Sequence, residues 1–248
     1  MKKFGLIGFP LEHSFSKAYF SEKFQKENIA NCIYENYPLE DISELNDLIR
    51  ENSSLIGLNV TIPYKQAVIP FLDEIDNEAA EIGAVNTIKI SRSEGEPFLK
   101  GYNTDIYGFE NPLLAVLTKD HRKALILGTG GASKAVEYIL KKHDIDCHFV
   151  SRKPRNPGIY SYGDLTEEII TQYQIIVNTS PIGMYPNINV KPGIPYGSLG
   201  KKHILYDLIY NPEKTLFLKE GEKRNTSLIN GLPMLHKQAE KAWEIWNS

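Results

Sequence analysis

The chain has 248 residues, a hydrophobic fraction of 42% and a charged fraction of 24%, which is the balance of an ordinary globular protein. Net charge is −3 with no block of like charges, so the basic field of a nucleic-acid binder is missing, and no stretch is apolar for long enough to span a membrane. The length suits two domains, because single cores stop growing at about 250–300 residues. Cys32 and Cys147 are the only cysteines, which gives no disulfide framework and fits a reducing cytosol. The six histidines are scattered without metal-ligand spacing, so no metal site is expected.

In chain order, Met1-Lys-Lys is followed by an apolar run too short for a signal peptide, read as a first buried strand over 3–8. A helix is expected over 15–28, a strand over 32–37, a helix over 41–51 and a strand over 55–60. A helix at 76–82 precedes strands at 85–90 and 97–102. The polar, glycine-containing stretch 91–96 between them reads as a hairpin turn, which gives one antiparallel edge. A helix over 105–121, interrupted by Pro112, links the two halves. Strands then follow at 123–127, 146–150, 174–178 and 203–208, with a helix at 132–142. The last helix, 231–246, carries Leu235, Ala239, Ala242, Trp243 and Trp246 at helical spacing and is placed back against the first half. Strands alternating with helices predict an α/β protein with mostly parallel sheets.

Pro63 closes the strand 55–60, since proline cannot donate to a ladder, and Lys65 sits just past that strand's end. Ligands of open α/β sheets bind outside the carboxyl ends of the strands. A primary amine there serves as a proton donor, a base or an anion anchor, whereas most loop lysines are simply solvated.

Strand 123–127 runs into Gly128-Thr129-Gly130-Gly131-Ala132-Ser133 and then into a helix. Glycines allow the tight turn and a close backbone approach to a pyrophosphate, and the helix N-terminus adds unpaired N–H groups. Ser133 stands at the third glycine position of the usual fingerprint. About twenty residues on, where an NAD site offers Asp or Glu to the ribose, this chain offers Ser151, Arg152 and Lys153, with Arg155 close behind. Those cations suit a 2′-phosphate, so NADP is favoured over NAD. The second half therefore reads as a Rossmann-type NADP-binding domain.

Asn103-Thr104-Asp105 follows a strand and opens the linking helix, placing Asp105 toward the expected interdomain cleft, although an aspartate there also reads as an N-cap. Asn86 and Thr87 follow a helix, where turn formation is the ordinary role. Ser14 and Ser16 stand where they would cap the first helix.

Taken together, Pro10-Leu-Glu-His-Ser-Phe-Ser16, Asn59-Val-Thr-Ile-Pro-Tyr-Lys65, Gly83-Ala-Val-Asn-Thr87, Asn103-Thr-Asp105 and the glycine turn stand in the order and spacing of the shikimate dehydrogenase family. So do Asn178-Thr-Ser-Pro-Ile-Gly-Met184, Tyr206-Asp-Leu-Ile-Tyr-Asn-Pro212 and Asn230-Gly-Leu-Pro-Met-Leu-His-Lys-Gln238, and the resemblance covers essentially the whole chain. It implies reduction of 3-dehydroshikimate to shikimate with NADPH, a cytoplasmic step of aromatic amino-acid biosynthesis. It implies an N-terminal α/β/α substrate domain over 1–104, a Rossmann domain over 105–230 and a helix 231–248 returning to the first. Ser14, Ser16, Thr61 and Tyr210 would bind the substrate carboxylate, and Asn86, Asp105 and Gln238 its ring hydroxyls. Lys65 would transfer the proton, paired with Asp105. Residues 128–132 and 151–155 would hold NADP, with Leu208 and Gly231 near the nicotinamide.

The chain departs from the family where Asn-Arg-Thr, followed three residues later by arginine, is usual. Here Ser151 and Lys153 flank Arg152, and Arg155 comes one position early, which leaves open which of them contact the phosphate. Two alternatives stand beside the main reading: a shikimate/quinate dehydrogenase with looser substrate or NAD use, and a non-catalytic ligand-sensing paralogue. A folate-linked dehydrogenase lacks support from the serine pair and Asn103-Thr-Asp105. The expected partner is a small-molecule substrate, with no nucleic acid or membrane, in a monomer or homodimer.

Overall fold

A computed structural model describes residues 1–11, 15–154 and 156–248. Their contacts divide the chain into two compact units. One is Met1–Thr104 with Ala239–Ser248, and the other is Asp105–Gln238.

The first unit holds strands β1 (Lys2–Gly8), β2 (Cys32–Pro38), β3 (Leu55–Val60), β4 (Glu74–Ile75), β5 (Thr87–Ser93) and β6 (Glu96–Tyr102), with helices α1 (Phe15–Lys26), α2 (Leu45–Glu51) and α3 (Asn77–Ile82). The sheet runs β2-β1-β3-β5-β6-β4. β1 pairs in parallel with β2 and β3, whereas β5 is antiparallel to both β3 and β6. The hairpin turn is tighter than the sequence suggested. Only Glu94 and Gly95 lie between the strands, both at positive φ (54° and 94°), the geometry whose twist matches paired strands.

Alternation along β1 buries Phe4 and Leu6 on one face and Ile7 on the other. Phe4 and Leu6 pack with Phe20 and Phe24 of α1, Tyr34 of β2 and Trp246 near the C-terminus, while Ile7 joins Leu45, Ile49, Leu58, Val68 and Ile88. Trp246 also donates its indole N–H to the Ile88 carbonyl at 3.0 Å. Gly57 makes room for that ring, since a Cβ there would lie 2.5 Å from the indole.

The second unit holds α4 (Asp105–Leu114), β7 (Lys123–Leu127), α5 (Gly131–Lys142), β8 (Asp146–Ser151), β9 (Tyr160–Ser161), α6 (Glu167–Gln172), β10 (Ile175–Asn178), β11 (Ile204–Asp207), α7 (Leu216–Glu222) and β12 (Ser227–Ile229). Every pair in its sheet, β12-β11-β10-β7-β8-β9, is parallel. All four residues of β10 are buried, the near-continuous apolar run of a strand covered on both faces. α8 (Gly231–Asn247) closes the chain, its residues to Gln238 grouping with the second unit and those from Ala239 with the first.

α4 ends at Leu114, well short of the expected 121. Pro112 lacks the N–H that would continue the ladder, and the polar Thr118-Lys-Asp120 that follows has no apolar face to bury. β4, β9, β12, α6 and α7 went unread in the sequence; the three strands among them have only two or three residues, too few for a period to show. Among the described residues, no helix is long and apolar enough to cross a membrane.

Candidate functional site

In the first unit, the carboxyl ends of the strands carry a connected set of polar side chains. Thr61 follows β3 directly. Its N–H donates to the Ile7 carbonyl of β1 at 2.9 Å, and its own carbonyl receives the Tyr64 N–H at 2.9 Å. That turn brings Lys65 round, and the Lys65 carbonyl accepts from Val85 N–H at 2.7 Å. Buried Tyr64 anchors the segment by donating its hydroxyl to the Leu39 carbonyl at 2.7 Å. The Lys65 backbone is therefore pinned on both sides while its side chain is only half-buried.

Asn86, at 3% exposure, sits one residue beyond Val85. Its backbone ties β3 to β6 by accepting from Val60 N–H at 2.8 Å and donating to the Tyr102 carbonyl at 3.0 Å. Its side-chain oxygen accepts from Thr104 N–H at 2.7 Å, Thr104 Oγ1 at 3.2 Å and Thr87 Oγ1 at 3.1 Å. A carbonyl oxygen has two lone pairs, so three donors fill it and fix the amide plane. Asn103 is also buried and donates to the Ala84 carbonyl at 2.9 Å. The network continues through Asn59, whose amide donates to Thr87 Oγ1 at 3.2 Å and accepts the Tyr34 hydroxyl at 2.8 Å. Ser16 hydrogen-bonds the same Tyr34 hydroxyl from α1. Burial raises the Tyr34 pKa far above the ordinary phenol range, so it stays a neutral donor.

The second unit places a nucleotide turn at the carboxyl end of its central strand. Gly128 follows β7 at φ 125°, a conformation that side chains other than glycine rarely take, and a Cβ there would lie 2.7 Å from Thr179 Oγ1. Gly130 is the N-cap of α5 and provides no side-chain cap. The 12-residue helix therefore presents its first amides and the positive end of its dipole to the turn. Thr129 and Gly130 are exposed, and Gly131 and Ala132 are half-buried. Ser133, at the third glycine position, is buried and donates its hydroxyl to the Gly130 carbonyl at 2.6 Å, closing the turn on itself.

Beside the turn lies a cavity of about 540 Å³ lined by Thr129, Ser151, Arg152, Lys153, Asn156 and Ile159. Among the described residues its lining carries two cations, Arg152 and Lys153, and no carboxylate. The hydroxyl of Ser151 accepts from Lys153 N–H at 3.3 Å, holding the Ser151–Lys153 turn with both basic side chains exposed. Uncapped helix amides, a glycine turn that admits no Cβ at Gly128 and a cationic pocket fit a phosphorylated dinucleotide with a 2′-phosphate.

On the other side of β7, β10 and β11 end in a second buried polar cluster. Asp207, fully buried, accepts from Asn178 Nδ2 at 3.0 Å, Ile209 N–H at 3.1 Å and Thr215 Oγ1 at 2.6 Å. Burial pushes its carboxyl up to about 6, partly offset by those three donors. The residues that follow, Leu208 and Tyr210, are half-buried, and burial raises the Tyr210 hydroxyl pKa. Gly231 packs on this turn so closely that a Cβ would lie 2.1 Å from the Leu208 carbonyl.

Thr61, Lys65 and Asn86 thus meet the first unit's strand ends, and Ser16 joins the same network through Tyr34. Gly128, Thr129, Gly130, Gly131, Ala132, Ser151, Arg152, Lys153, Leu208, Tyr210 and Gly231 meet those of the second. Asp105 opens α4 at 2% exposure rather than standing outside the helix, and Gln238 is half-buried in α8. Ser14 and Arg155 lie outside the described residues. The sequence reading passed over Tyr34, Asn59, Thr104, Asn178 and Asp207. Four of these, all but Tyr34, stand inside motifs it quoted, as polar residues at or close behind the ends of strand-like segments, which was the available signal.

A parallel sheet with a glycine turn, an uncapped helix and a cationic pocket is the pattern of a dinucleotide-binding domain, and a mixed α/β unit in the same chain is the composition of a two-domain oxidoreductase. Residues 6–88 match the model of the shikimate dehydrogenase substrate-binding domain. A shikimate dehydrogenase (NADP+) of Methanococcus vannielii is 36% identical over 263 residues, covering 98% of this chain and 90% of that protein. The crystal structure of a shikimate dehydrogenase in complex with NADP+ superposes with a TM-score of 0.87 at 35% identity, over 99% of this chain and 90% of that one. The Thermus thermophilus enzyme in complex with NADP(H) and shikimate gives 0.84 at 29% identity, over 99% and 93%. The chain belongs to the shikimate dehydrogenase family.

Proposed function

We propose that this protein is an NADP-dependent shikimate dehydrogenase, which reversibly reduces 3-dehydroshikimate to shikimate in the cytoplasm for aromatic amino-acid synthesis. The reading is carried by one observation: the match to an NADP+-using relative extends over 98% of the chain, rather than over the nucleotide-binding half alone. NADPH supplies the hydride, and the protein's residues bind, orient and move a proton.

Ser14, Ser16, Thr61 and Tyr210 are assigned to the substrate carboxylate, and Asn86, Asp105 and Gln238 to its ring hydroxyls. The fixed amide plane of Asn86 supports its part, because an oriented donor or acceptor discriminates hydroxyl positions better than a mobile one. Lys65 is assigned the proton transfer. A ketone gaining hydride leaves negative charge on oxygen, and an ammonium stabilises that charge and delivers the proton. In the reverse direction the neutral amine takes it back. Asp105 is assigned to orient the reacting hydroxyl and the ammonium. Arg152 and Lys153, with Arg155, are assigned to the 2′-phosphate, Ser151 to the ribose end, residues 128–132 to the pyrophosphate, and Leu208 and Gly231 to the nicotinamide end. The substrate domain is assigned to residues 1–104, and the cofactor domain to 105–230.

The test is a four-way assay of shikimate and quinate, each with NADP+ and NAD+, followed by absorbance of the reduced nicotinamide. Shikimate with NADP+ should give the largest kcat/KM. Comparable rates with quinate or NAD+ would select the relaxed enzyme, and NADP+ binding without turnover would select a sensor.

A further inference from the structure

Asp207 is itself assigned to no ligand, yet it is a fully buried carboxylate at the end of β11. The strand order explains its importance. The glycine turn leaves β7, the ribose pocket lies over β8 on one side, and β10 and then β11 follow on the other. A dinucleotide whose pyrophosphate rests on the turn and whose 2′-phosphate lies over β8 must extend its other half over the ends of β10 and β11, since neighbouring strands are about 4.8 Å apart. What stands there is the Leu208–Tyr210 turn.

Three hydrogen bonds hold that turn. Leu208 N–H donates to the Asn178 carbonyl at 3.0 Å, Gly231 N–H donates to the Ile209 carbonyl at 3.0 Å, and Ile209 N–H donates to Asp207 Oδ1 at 3.1 Å. The same carboxylate takes Asn178 Nδ2 and Thr215 Oγ1. Asn178 in turn accepts from Ser180 N–H at 3.1 Å and Ser180 Oγ at 2.7 Å, so the loops after β10 and β11 are locked to each other through Asp207. An ionised carboxylate is acceptor-only, which matches three converging donors.

We propose that Asp207 is a positioning residue for the nicotinamide half of the cofactor site, setting the Leu208–Tyr210 turn against which that half packs. This rests on the reading of NADP as cofactor. An asparagine at 207 can keep the arrangement, its oxygen serving Ile209 and Asn178 and its NH2 donating to Thr215 Oγ1, whereas an alanine removes all three bonds.

The test is calorimetric titration of the wild type, Asp207→Ala and Asp207→Asn with NADP+ and with 2′,5′-ADP, which carries the adenosine and 2′-phosphate but no nicotinamide. Asp207→Ala should weaken NADP+ at least about 10-fold, the scale of one buried charged hydrogen bond, and leave 2′,5′-ADP within about 2-fold. Asp207→Asn should keep NADP+ within about 3-fold of wild type. Equal weakening of both ligands, unchanged NADP+ affinity in the alanine variant, or no rescue by asparagine would overturn the proposal. Asp207→Leu, which keeps the buried volume without the acceptors, must show the same ligand-selective loss if the alanine variant does not fold. Failure of the wild type to bind 2′,5′-ADP would overturn the cofactor reading itself, a result distinct from the others.

Discussion

Lys65 owes its usefulness to backbone bonds on either side of it. With Thr61 tied to β1 and the Lys65 carbonyl tied to Val85, the amine leaves from a fixed point beside Asn86. Replacing Lys65 with alanine removes the proposed proton carrier without disturbing those main-chain bonds. Turnover of shikimate should therefore fall at least about 100-fold, with NADP+ affinity nearly unchanged by titration; near-normal turnover would rule the role out. Asp207 gives a second prediction, in stability. Its folded pKa of about 6 lies above the ordinary 3.8. Its favourable contribution is thus complete below about pH 3.8 and lost as pH rises through about 6. Denaturant unfolding at about pH 5 and about pH 8 should show the wild type losing roughly 1–1.5 kcal/mol relative to Asp207→Asn across that interval. Equal pH slopes in the two proteins would show that the carboxyl does not titrate there.

At the scale of elements, small residues decide how closely the parts approach. Gly57 lies under the Trp246 indole, so β3 and the end of α8 fit only while position 57 lacks a Cβ. Gly57→Ala should lower unfolding free energy by about 1–3 kcal/mol, the usual cost of overpacking, read by urea denaturation. The helical spacing of Ala239, Ala242 and Trp246 could be read in the sequence, but the glycine beneath the ring could not, because a strand glycine has no mark of what lies over it. Likewise, β7, the glycine turn and α5 stood out because apolar run, glycines and amphipathic helix follow one another within 20 residues. β12 and α7 did not, since three and seven residues owe their structure to the neighbours they pair and pack with.

For the molecule as a whole, cofactor choice should rest on charge at one turn. The double variant Arg152→Ala/Lys153→Ala should lose at least about 10-fold in kcat/KM for NADPH while NADH changes little, as measured in parallel initial-rate assays. A uniform loss with both cofactors would place the effect in folding instead. Residue type at short range was enough to read the α/β alternation, the glycine turn before α5 and the basic residues after β8, and to single out Lys65, Asn86 and Asp105 as candidates. Only the tertiary structure decided which polar groups share bonds. Asn86 joined to Thr104, Tyr34 to Asn59, and Asp207 to Asn178 and Thr215 are pairings of residues 8 to 29 positions apart. They exist because strand order brings strand ends side by side, where buried donors and acceptors must find one another rather than water.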